Sequence, residues 1–271
     1  MRIVAWNIRA GGGARIRAIA RQVDRWAADV VVLSEFRATP PSLALARALS
    51  ASGLGHQITT ADRRRPGTNA LLVAARVPLR RIRLGAAPTE PGRWLAAAVE
   101  TPRPLVVGGM HVPNRVSGRK YPFLDAVLGC ARRWRLGPAL FVGDTNSGRR
   151  GLDEEVPVFS AREEGWVDGL AACGWIDAFR HLRPEARAYT WYSPNGRNGF
   201  RIDQAFVNGA LLARLEHVAY VWGRPWRGRR RDALSDHAAL VVDLTDMGGL
   251  DRAPQAPRTF GAPRGTRGAP R

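Results

Sequence analysis

The sequence predicts an α+β fold in which two β-sheets pack face to face and helices cover their outer sides. Segments with strand-like patterns outnumber those with helical periodicity. Several strand candidates are continuously apolar, which is typical of strands buried on both faces. A strand-rich chain with few helices buries such strands when two sheets pack together. The 271 residues, 45% of them hydrophobic, supply enough apolar surface for this core.

The first half of the chain alternates strand and helix candidates. The helix at residues 11–28 is predicted because Ile16, Ile19 and Val23 recur at helical spacing. A second helix candidate has the sequence SLALARALSA. The strand candidates of this half are residues 2–8, 29–36, 68–75, 93–101 and 103–112.

The second half contains mainly strand candidates. The segment YPFLDAVLGCARRWR predicts an amphipathic helix, and VDGLAACGW predicts a shorter one. The segment PALFVGDTN reads as a strand that stops at a turn. The other strand candidates are residues 188–193, 201–208, 215–222 and 237–244.

The composition changes near residue 250. Residues 251–271 are rich in Pro, Gly and Arg and nearly free of large apolar side chains. Such a segment cannot bury enough surface to offset its ordering entropy, so we expect a disordered basic tail. One globular domain is predicted over residues 1–250.

The charge balance favours a polyanionic partner. The chain has 42 Lys+Arg against 23 Asp+Glu, a formal net charge of +19, and Lys120 is its single lysine. Codon bias explains arginine in place of lysine, but it does not explain why acids fail to balance it. The tail has five arginines and one aspartate, so most of the excess belongs to the globular part. A nucleic acid, DNA rather than RNA, is the expected partner.

Two cysteines and the apolar segments bear on the compartment. Cys130 and Cys173 have no partner at metal-ligand spacing, and free thiols fit a reducing compartment. The first residues do not resemble a signal peptide, and no stretch approaches about 18 uninterrupted apolar residues. We therefore expect a cytoplasmic protein with no membrane span and no obligate protein partner.

Polar residues recur where strand candidates end or begin. Each alone has an ordinary explanation as a turn residue, a cap or a hydrogen-bonded structural side chain. Asp203 inside an apolar strand is the exception, because an unpaired buried carboxylate costs several kcal/mol. The set comprises Asn7, Glu35, His111, Asn114, Asp144, Asn146, Asp203, Asp236 and His237.

These residue types together suit the hydrolysis of a phosphate ester. Clustered carboxylates repel one another unless a cation lies among them, and hard oxygen ligands favour Mg²⁺, Mn²⁺ or Ca²⁺ over zinc. Such an ion polarises a phosphoryl oxygen. A histidine beside an aspartate supplies an imidazole of fixed orientation.

Six segments resemble motifs of the endonuclease/exonuclease/phosphatase superfamily. They are RIVAWNI, ADVVVLSEF, HVPN, FVGDTN, GFRID and LSDHAAL, in the family's order from residue 2 to about 244. The chain is most similar to AP endonucleases of the exonuclease III type. The resemblance implies a four-layer α/β/β/α sandwich of two mixed β-sheets with outer helices, and a Mg²⁺-dependent phosphodiesterase.

The resemblance also implies a metal site and a catalytic pair. Glu35 matches the principal metal ligand, Asn7 lies beside it, and Asp236 contributes to the metal site. His237 matches the catalytic histidine, and Asp203 matches the carboxylate that orients it.

The remaining matches concern water and phosphate. Asp144 and Asn146 resemble residues that position or deprotonate the attacking water, and Asn114 resembles a phosphate-contacting asparagine. The sequence leaves open whether Asp144 or the Asp203–His237 pair is the base.

Three positions depart from the AP endonuclease pattern. His111 stands where tyrosine is usual and is similar to a histidine of deoxyribonuclease I, so it either protonates the leaving group or binds phosphate. Arg9 replaces an acidic residue beside the metal, and Arg37 keeps a substrate-facing cation where lysine is frequent.

Two segments are predicted to contact the substrate. Trp191 and Phe200 fall where AP endonucleases line the pocket for a base-free sugar, although strand aromatics often fill core instead. The arginine-rich segment GRPWRGRRRD, with Arg227 and Arg229, is expected to bind the phosphate backbone of the nucleic acid.

These observations predict a metal-dependent nuclease, either an endonuclease or an exonuclease, with DNA repair at abasic sites as one possible role. The first alternative is a phosphatase or phosphodiesterase acting on a lipid, inositol or other small phosphate ester. The second is a nucleic-acid-binding protein without turnover, which the acidic cluster disfavours because acids repel a polyanion.

Overall fold

A computed structural model describes residues 1–224 and 234–245 of the chain. The predicted tail, Arg227 and Arg229 lie outside the described residues. The strands are β1 (Arg2–Asn7), β2 (Val30–Phe36), β3 (His56–Thr59), β4 (Ala70–Ala75), β5 (Leu79–Ile82), β6 (Trp94–Val99), β7 (Leu105–His111), β8 (Ala139–Asp144), β9 (Trp175–Asp177), β10 (Trp191–Tyr192), β11 (Gly199–Phe200), β12 (Asp203–Asn208), β13 (Leu215–Val221) and β14 (Ala239–Leu244). The α-helices are α1 (Ile16–Arg25), α2 (Pro40–Ala51), α3 (Lys120–Arg132), α4 (Ala161–Ala172), α5 (Ala178–Leu182) and α6 (Gly209–Leu212).

Two six-stranded mixed sheets form the centre of the fold. The first has the strand order β13-β14-β1-β2-β4-β3, and the second has the order β5-β6-β7-β8-β12-β9. Each contains one parallel pair, β1 with β2 and β7 with β8, among antiparallel neighbours. The predicted pair of mixed sheets is confirmed.

Three apolar layers hold the sandwich together. The inner layer joins the two sheets through residues such as Val32, Leu71 and Val107. Helices α1 and α2 cover the first sheet, where Trp26 packs edge-on against Trp6. Helices α3 and α4 cover the second sheet. The α/β/β/α layering follows, because each sheet buries one face against the other sheet and one against helices.

The order of the strands determines where the polar strand ends meet. Strands β1 and β2 run parallel, with Asn7 paired to Ser34, and strands β7 and β8 run parallel, with His111 paired to Asp144. Contacts across the core place β1 and β2 over β7 and β8, and β14 over β12. The polar ends of both sheets therefore lie along one rim of the sandwich.

Several elements differ from the predicted ones. Strands β3, β5 and β9 were not predicted, since each is only three or four residues long. Helix α4 begins at Ala161 rather than near Val167, because Ser160 and Glu163 form a capping box. The strand predicted at 188–193 shortens to the two-residue β10, which pairs with β11.

None of the helices in the described part of the chain has the length and apolarity needed to cross a membrane.

Candidate active site

Glu35 and Asn7 form the first part of the rim cluster. The Asn7 amide donates to Glu35 Oε1 at 3.3 Å and to Asp144 Oδ2 at 3.1 Å, so it bridges the two sheets. The backbone N–H of Ala10 donates to the other Glu35 oxygen at 2.6 Å. These contacts hold the Glu35 carboxylate over the end of β1.

The backbone at Glu35 is strained. Its φ is +56°, a left-handed conformation that costs a non-glycine residue of order 1–3 kcal/mol. The register of β2 against β4 shifts between Ser34 and Phe36, so this residue forms a bulge. A bulge next to a candidate site turns a side chain away from the regular alternation of the strand.

Asp203, at the start of β12, and His237, just before β14, form a buried pair. Asp203 Oδ2 lies 2.9 Å from His237 Nδ1, and the two side chains are 2% and 7% exposed. Burial opposes the charged imidazole, but the adjacent Asp203 carboxylate outweighs it and raises the pKa of His237 to about 10. The other ring nitrogen, Nε2, lies 4.0 Å from Asp144 Oδ2. This shift favours the imidazolium form of His237 at neutral pH.

The segment that carries His237 is tied to β1. The Ser235 hydroxyl donates to the carbonyl of Asn7 at 2.5 Å and accepts from the His237 N–H at 3.1 Å. The Trp6 indole donates to the His237 carbonyl at 2.9 Å. Ser235 was not singled out from the sequence, and a serine one residue before Asp236 offers no pattern that would identify it.

Asp144 lies at the centre of the cluster. Burial, with the nearby Asp203 charge, raises the pKa of Asp144 to about 7, although His237 and hydrogen bonds from Asn7 and the Asn146 backbone oppose the shift. Gly143 precedes it with φ +142°, and a Cβ there would lie 2.0 Å from the Met110 carbonyl oxygen. Only glycine can occupy this position, so the "GD" pair is a steric requirement as well as a turn signal.

His111 faces Asp144 from the neighbouring strand. Its Nε2 lies 3.7 Å from Asp144 Oδ2, and its buried Nδ1 has no hydrogen-bond partner among the described residues. Burial, together with the positive charges of Arg93 and His237, holds the pKa of His111 well below its usual value. The imidazole is therefore neutral, with one ring nitrogen as a donor and the other as an acceptor.

Asp236 and Arg9 lie at the outer edge of the cluster. Asp236 is partly exposed, and its Oδ2 lies 4.0 Å from the Arg9 Nε. Arg15 connects the same loops by donating to the Leu234 and Arg9 carbonyls. Arg9 lies beside Asp236, and the next residue, Ala10, donates to Glu35, so the two acids lie on the same side of the molecule.

Asn146 and Asn114 border a pocket beside this cluster. The Asn146 side chain donates to the Val112 carbonyl at 2.8 Å, and its backbone N–H donates to Asp144 Oδ1 at 3.0 Å. The pocket has a volume of about 240 Å³. Its lining residues are Asn114, Arg115, Lys120, Asn146, Val158, Phe159, Glu163, Trp191, Phe200 and Ile202.

Trp191 connects the pocket with the Asp203–His237 pair. It forms a β-bridge with His237, and the two rings are 6.4 Å apart between centroids. Trp191 is half-buried, whereas Phe200 is 6% exposed and packs against Phe159. Trp191 is thus available to a ligand, and Phe200 forms the apolar base of the pocket.

Arg37 lies on the opposite side of Glu35 from the pocket. Its Nε donates to the Asn69 side chain at 2.8 Å, which joins β2 to the loop before β4. The structure thus brings eleven of the twelve predicted site residues that it describes to the cluster or its pocket. The twelfth, Arg37, lies next to the cluster, on the far side of Glu35.

Two buried ion-pair groups near the cluster were not predicted. The Arg201 guanidinium is fully buried between Asp153 and Asp177, with bonds of 2.6–3.3 Å. Arg201 also donates to the Tyr220 hydroxyl, which in turn donates to the Asp203 carbonyl at 2.9 Å. This network fixes the start of β12, where Asp203 lies.

The second group supports the turn after β8. The Lys120 ammonium donates to Glu163 and to the Asn146 carbonyl, and it is almost fully buried. Arg115 also binds Glu163, at 2.6 Å. A lone lysine in an arginine-rich chain was the available signal, but nothing in the sequence connects it with Glu163.

Arg93 was also missed. It precedes β6, its backbone carbonyl accepts from the His111 N–H, and its Nη1 donates to the His111 carbonyl at 3.2 Å. Its guanidinium is mostly buried, and burial lowers its pKa while the charges of Asp144 and Glu35 oppose that shift.

The oxygen-rich part of the cluster fits a hard divalent cation. Glu35 and Asp236 supply carboxylates, and no cysteine lies among them. The Asn7 amide supports Glu35, because its nitrogen donates to that carboxylate while its oxygen accepts the Arg9 N–H at 3.0 Å. Within residues 1–224 and 234–245, no three His, Cys, Asp or Glu side chains form a group that could hold a metal. Mg²⁺ suits this arrangement better than zinc, because Mg²⁺ is commonly held by one or two carboxylates plus water and substrate oxygens.

Comparisons with known proteins agree with the fold and the motif order. Residues 4–237 match the model of the Endonuclease/Exonuclease/phosphatase family. No curated protein matches the chain at a significant level.

Solved structures with the same fold include two from Neisseria and one from an archaeon. A 3'-5' exonuclease from Neisseria meningitidis superimposes with a TM-score of 0.75 at 23% identity, covering 90% of this chain and 99% of that one. A 3' phosphatase from Neisseria, bound to product DNA hairpin, gives 0.74 at 22% identity with the same coverage. An AP endonuclease from Archaeoglobus fulgidus gives 0.73 at 18% identity, again covering 90% and 99%.

Proposed function

The chain belongs to the endonuclease/exonuclease/phosphatase family, and we propose that it is a divalent-metal-dependent phosphodiesterase that hydrolyses DNA. The observation that carries the proposal is the buried Asp203–His237 pair, which lies within reach of Asp144 on the rim that also holds Glu35. A protein that only bound nucleic acid would gain nothing from several acids beside a polyanion.

His237 stabilises the charge of the phosphate in this proposal. Its pKa of about 10 keeps the imidazole protonated at neutral pH, so it cannot accept a proton from water. Nδ1 of His237 is hydrogen-bonded to Asp203, so Nε2 is the ring nitrogen that can donate to a phosphate oxygen. An imidazolium held by a buried carboxylate donates a strong hydrogen bond where negative charge develops.

Asp144 is then the base. With a pKa of about 7, a substantial fraction of this carboxyl group is ionised at neutral pH, and it retains enough basicity to take a proton from water. Water attacks phosphorus as its proton passes to Asp144, and the bond to the leaving oxygen breaks on the opposite side.

The neutral His111 binds phosphate in this scheme. A histidine whose pKa lies well below its usual value is not protonated at neutral pH and has no extra proton for the leaving group. It can donate one hydrogen bond to a phosphate oxygen through the ring nitrogen that carries the hydrogen.

Glu35, with Asn7 and Asp236 nearby, would hold Mg²⁺ or Mn²⁺. When bound, the ion polarises a phosphoryl oxygen and stabilises the departing alkoxide. The strained backbone of Glu35 supports this assignment, since strain of this kind is concentrated at functional sites.

DNA is favoured over a small phosphate ester by the net charge of +19 and by the pocket. The pocket of about 240 Å³ combines the Trp191 ring with Asn114 and Asn146, which suits a sugar–phosphate unit next to the scissile bond. Room for a sugar beside the Trp191 ring supports action at abasic sites. One structural neighbour is described with a product DNA hairpin, which also supports DNA.

A substrate panel tests the proposal. Abasic-site duplex, intact duplex, single-stranded RNA and a small phosphodiester are each incubated with Mg²⁺ and the wild type or His237→Ala. We expect cleavage of the abasic duplex first and almost none by the variant. Turnover of the small ester alone would refute the assignment to DNA, and no turnover at all would refute the assignment as a hydrolase.

A further inference from the structure

The catalytic cluster lies off-centre on its rim, with an aromatic pocket on one side and unpaired arginines on the other. In order along the rim, starting at the pocket side, the strands of the two sheets that face each other are β14 over β12, β1 over β8, β2 over β7 and β4 over β6. Strand β3 and strand β5 form the far edge and are also in contact. Trp191 marks the pocket side and Asp144 the centre, whereas the arginines lie beyond Glu35.

We infer that Arg93, Arg63, Arg64 and Arg65, hereafter the arginine rim, bind successive backbone phosphates of the DNA on the side of the scissile bond away from the Trp191 pocket. This inference rests on the proposed function, because it supposes that DNA occupies the cluster.

Arg93 is the arginine nearest the reacting centre. Its guanidinium makes one hydrogen bond, to the His111 carbonyl, and forms no ion pair within 4.0 Å with another described residue. Asp144 and Glu35 act on its charge more strongly than any other acid. A mostly buried cation beside two acids, without a salt bridge to either, keeps donors free for a third anion. The planar guanidinium matches phosphate oxygens well.

Arg63, Arg64 and Arg65 lie on the loop between β3 and β4. This loop is at the Glu35 end of the sheet, because Phe36 pairs with Ala70 at the start of β4. All three arginines are exposed, and their side chains form no hydrogen bond or ion pair with other described residues.

The backbone of this loop is held in place. Asp62 accepts the Arg64 N–H at 2.8 Å, and the Pro66 carbonyl accepts the Ala38 N–H at 3.1 Å. The Arg37–Asn69 contact joins the loop to the residues just after Glu35. The loop therefore presents three unpaired cations from a fixed base, which lowers the cost of ordering them on a ligand.

The spacing of the arginine rim fits a nucleic-acid backbone. Neighbouring strands of a sheet lie about 4.8 Å apart, so the distance from β1 across β2 and β4 to β3 is roughly 14 Å. A DNA strand has one phosphate for about every 3.4 Å of helix axis. The loop arginines thus face phosphates about four nucleotides from the reacting one, and Arg93 faces a nearer one.

Salt-dependent binding tests the inference. Binding of a labelled 30-base-pair duplex in EDTA, which prevents cleavage, is measured by anisotropy at several salt concentrations. The variants are Arg93→Gln, Arg93→Lys and the triple change of Arg63, Arg64 and Arg65 to Gln. The matched control changes Arg132, Arg133 and Arg135 to Gln. These exposed arginines lie at the end of α3 and just beyond it, at the opposite end of the second sheet from Asp144.

Each lost phosphate contact lowers the slope of log K against log salt by about 0.9. We expect a decrease of about 2 to 3 for the loop variant and about 1 for Arg93→Gln, with little change for Arg93→Lys and the control. Equal decreases for the loop variant and the control would refute the inference, because net charge alone would then explain binding. A wild type that fails to bind DNA would instead refute the proposed function.

Substrate length gives a second, directional readout. Two duplexes place the cleavage site two base pairs from one end or from the other. The loop variant should lower kcat/KM on only one of them, the one whose long arm reaches the loop. Equal losses on both duplexes would contradict the placement of the arginines on one side.

Discussion

Replacing Asp203 with Asn should convert His237 from a cation into a neutral side chain without changing its shape or packing. The pair is 2.9 Å apart, and neither side chain is more than 7% exposed. The difference between the usual histidine pKa of 6.5 and about 10 corresponds to roughly 5 kcal/mol in favour of the imidazolium. Without the Asp203 charge, burial dominates and the pKa of His237 falls toward 6.5 or below.

The expected consequence is a slower enzyme with an altered pH profile. In the wild type, His237 stays protonated until the pH approaches 10, so its charge is constant from pH 6 to 9. In Asp203→Asn the imidazolium is lost as the pH rises past about 6.5. Cleavage should fall by about 10²- to 10⁴-fold at pH 8 and recover partly at pH 6.

Initial rates on an abasic duplex between pH 5.5 and 9, with an NMR titration of the His237 ring, provide the measurement. Asp125→Asn is the control, since Asp125 is exposed and, among the described residues, forms its ion pair with the exposed Arg162. If Asp203→Asn kept the wild-type rate and profile, or if His237 still titrated near pH 10, the assigned role of the pair would be wrong.

Three further outcomes are expected. Asp144→Asn should lower the rate at least 100-fold and remove the rise in activity that we expect of the wild type through about pH 7, where the Asp144 carboxylate forms; an unchanged pH profile would exclude Asp144 as the base. Arg201→Met should cost about 3–5 kcal/mol of unfolding free energy in urea, because Asp153 and Asp177 lose their buried partner. Burial would raise the pKa of Asp153, but Arg201 and its hydrogen bonds lower it overall. The stabilisation that the Asp153–Arg201 pair provides is therefore present above about pH 4 and is lost as the pH falls below that value. In the variant, burial of Asp153 is opposed by Arg180 and the Arg149 N–H but no longer by Arg201. The stability deficit should therefore be larger at pH 7 than at pH 4.5, and a deficit that did not depend on pH would contradict this. Trp191→Ala should weaken binding of an abasic duplex by about 1–3 kcal/mol in a filter-binding assay, and unchanged binding would show that the ring only fills space.

The strand ends were predictable because of one topological rule. Asn7, Glu35 and His111 end parallel strands, and the ends of parallel strands meet at one edge of a sheet. Continuous apolar runs in β2 and β8 indicated burial on both faces, and two stacked sheets follow from that. The family motifs then indicated that polar strand ends from both sheets lie together, which hydrophobic periodicity alone does not show.

The supporting residues were not predictable for a different reason. Arg93 is one of 42 basic residues, and its burial beside Asp144 arises only when β6 packs next to β7. Arg201 appeared only as a letter of the GFRID motif, and its partners Asp153 and Asp177 come from distant segments. Long-range ion pairs of this kind leave no local pattern.

One missed element did have a local signal. Helix α4 starts after Ser160, and the spacing of Ser160 and Glu163 is that of a capping box. The apolar periodicity of the helix is weak in its first turns, so the prediction began at Val167 instead. The short strands β3 and β5 had no such signal, because their exposed arginines and polar residues break the alternation.

The most direct test of the account is DNA cleavage under control of a divalent ion. Wild-type protein and His237→Ala are stripped of metal with EDTA, mixed with a duplex containing one abasic site, and supplied with excess Mg²⁺. We expect no strand cleavage in EDTA, rapid cleavage by the wild type after Mg²⁺ is added, and cleavage by the variant that is slower by at least 100-fold. Cleavage that persists in EDTA, or equal rates for the two proteins, would contradict it.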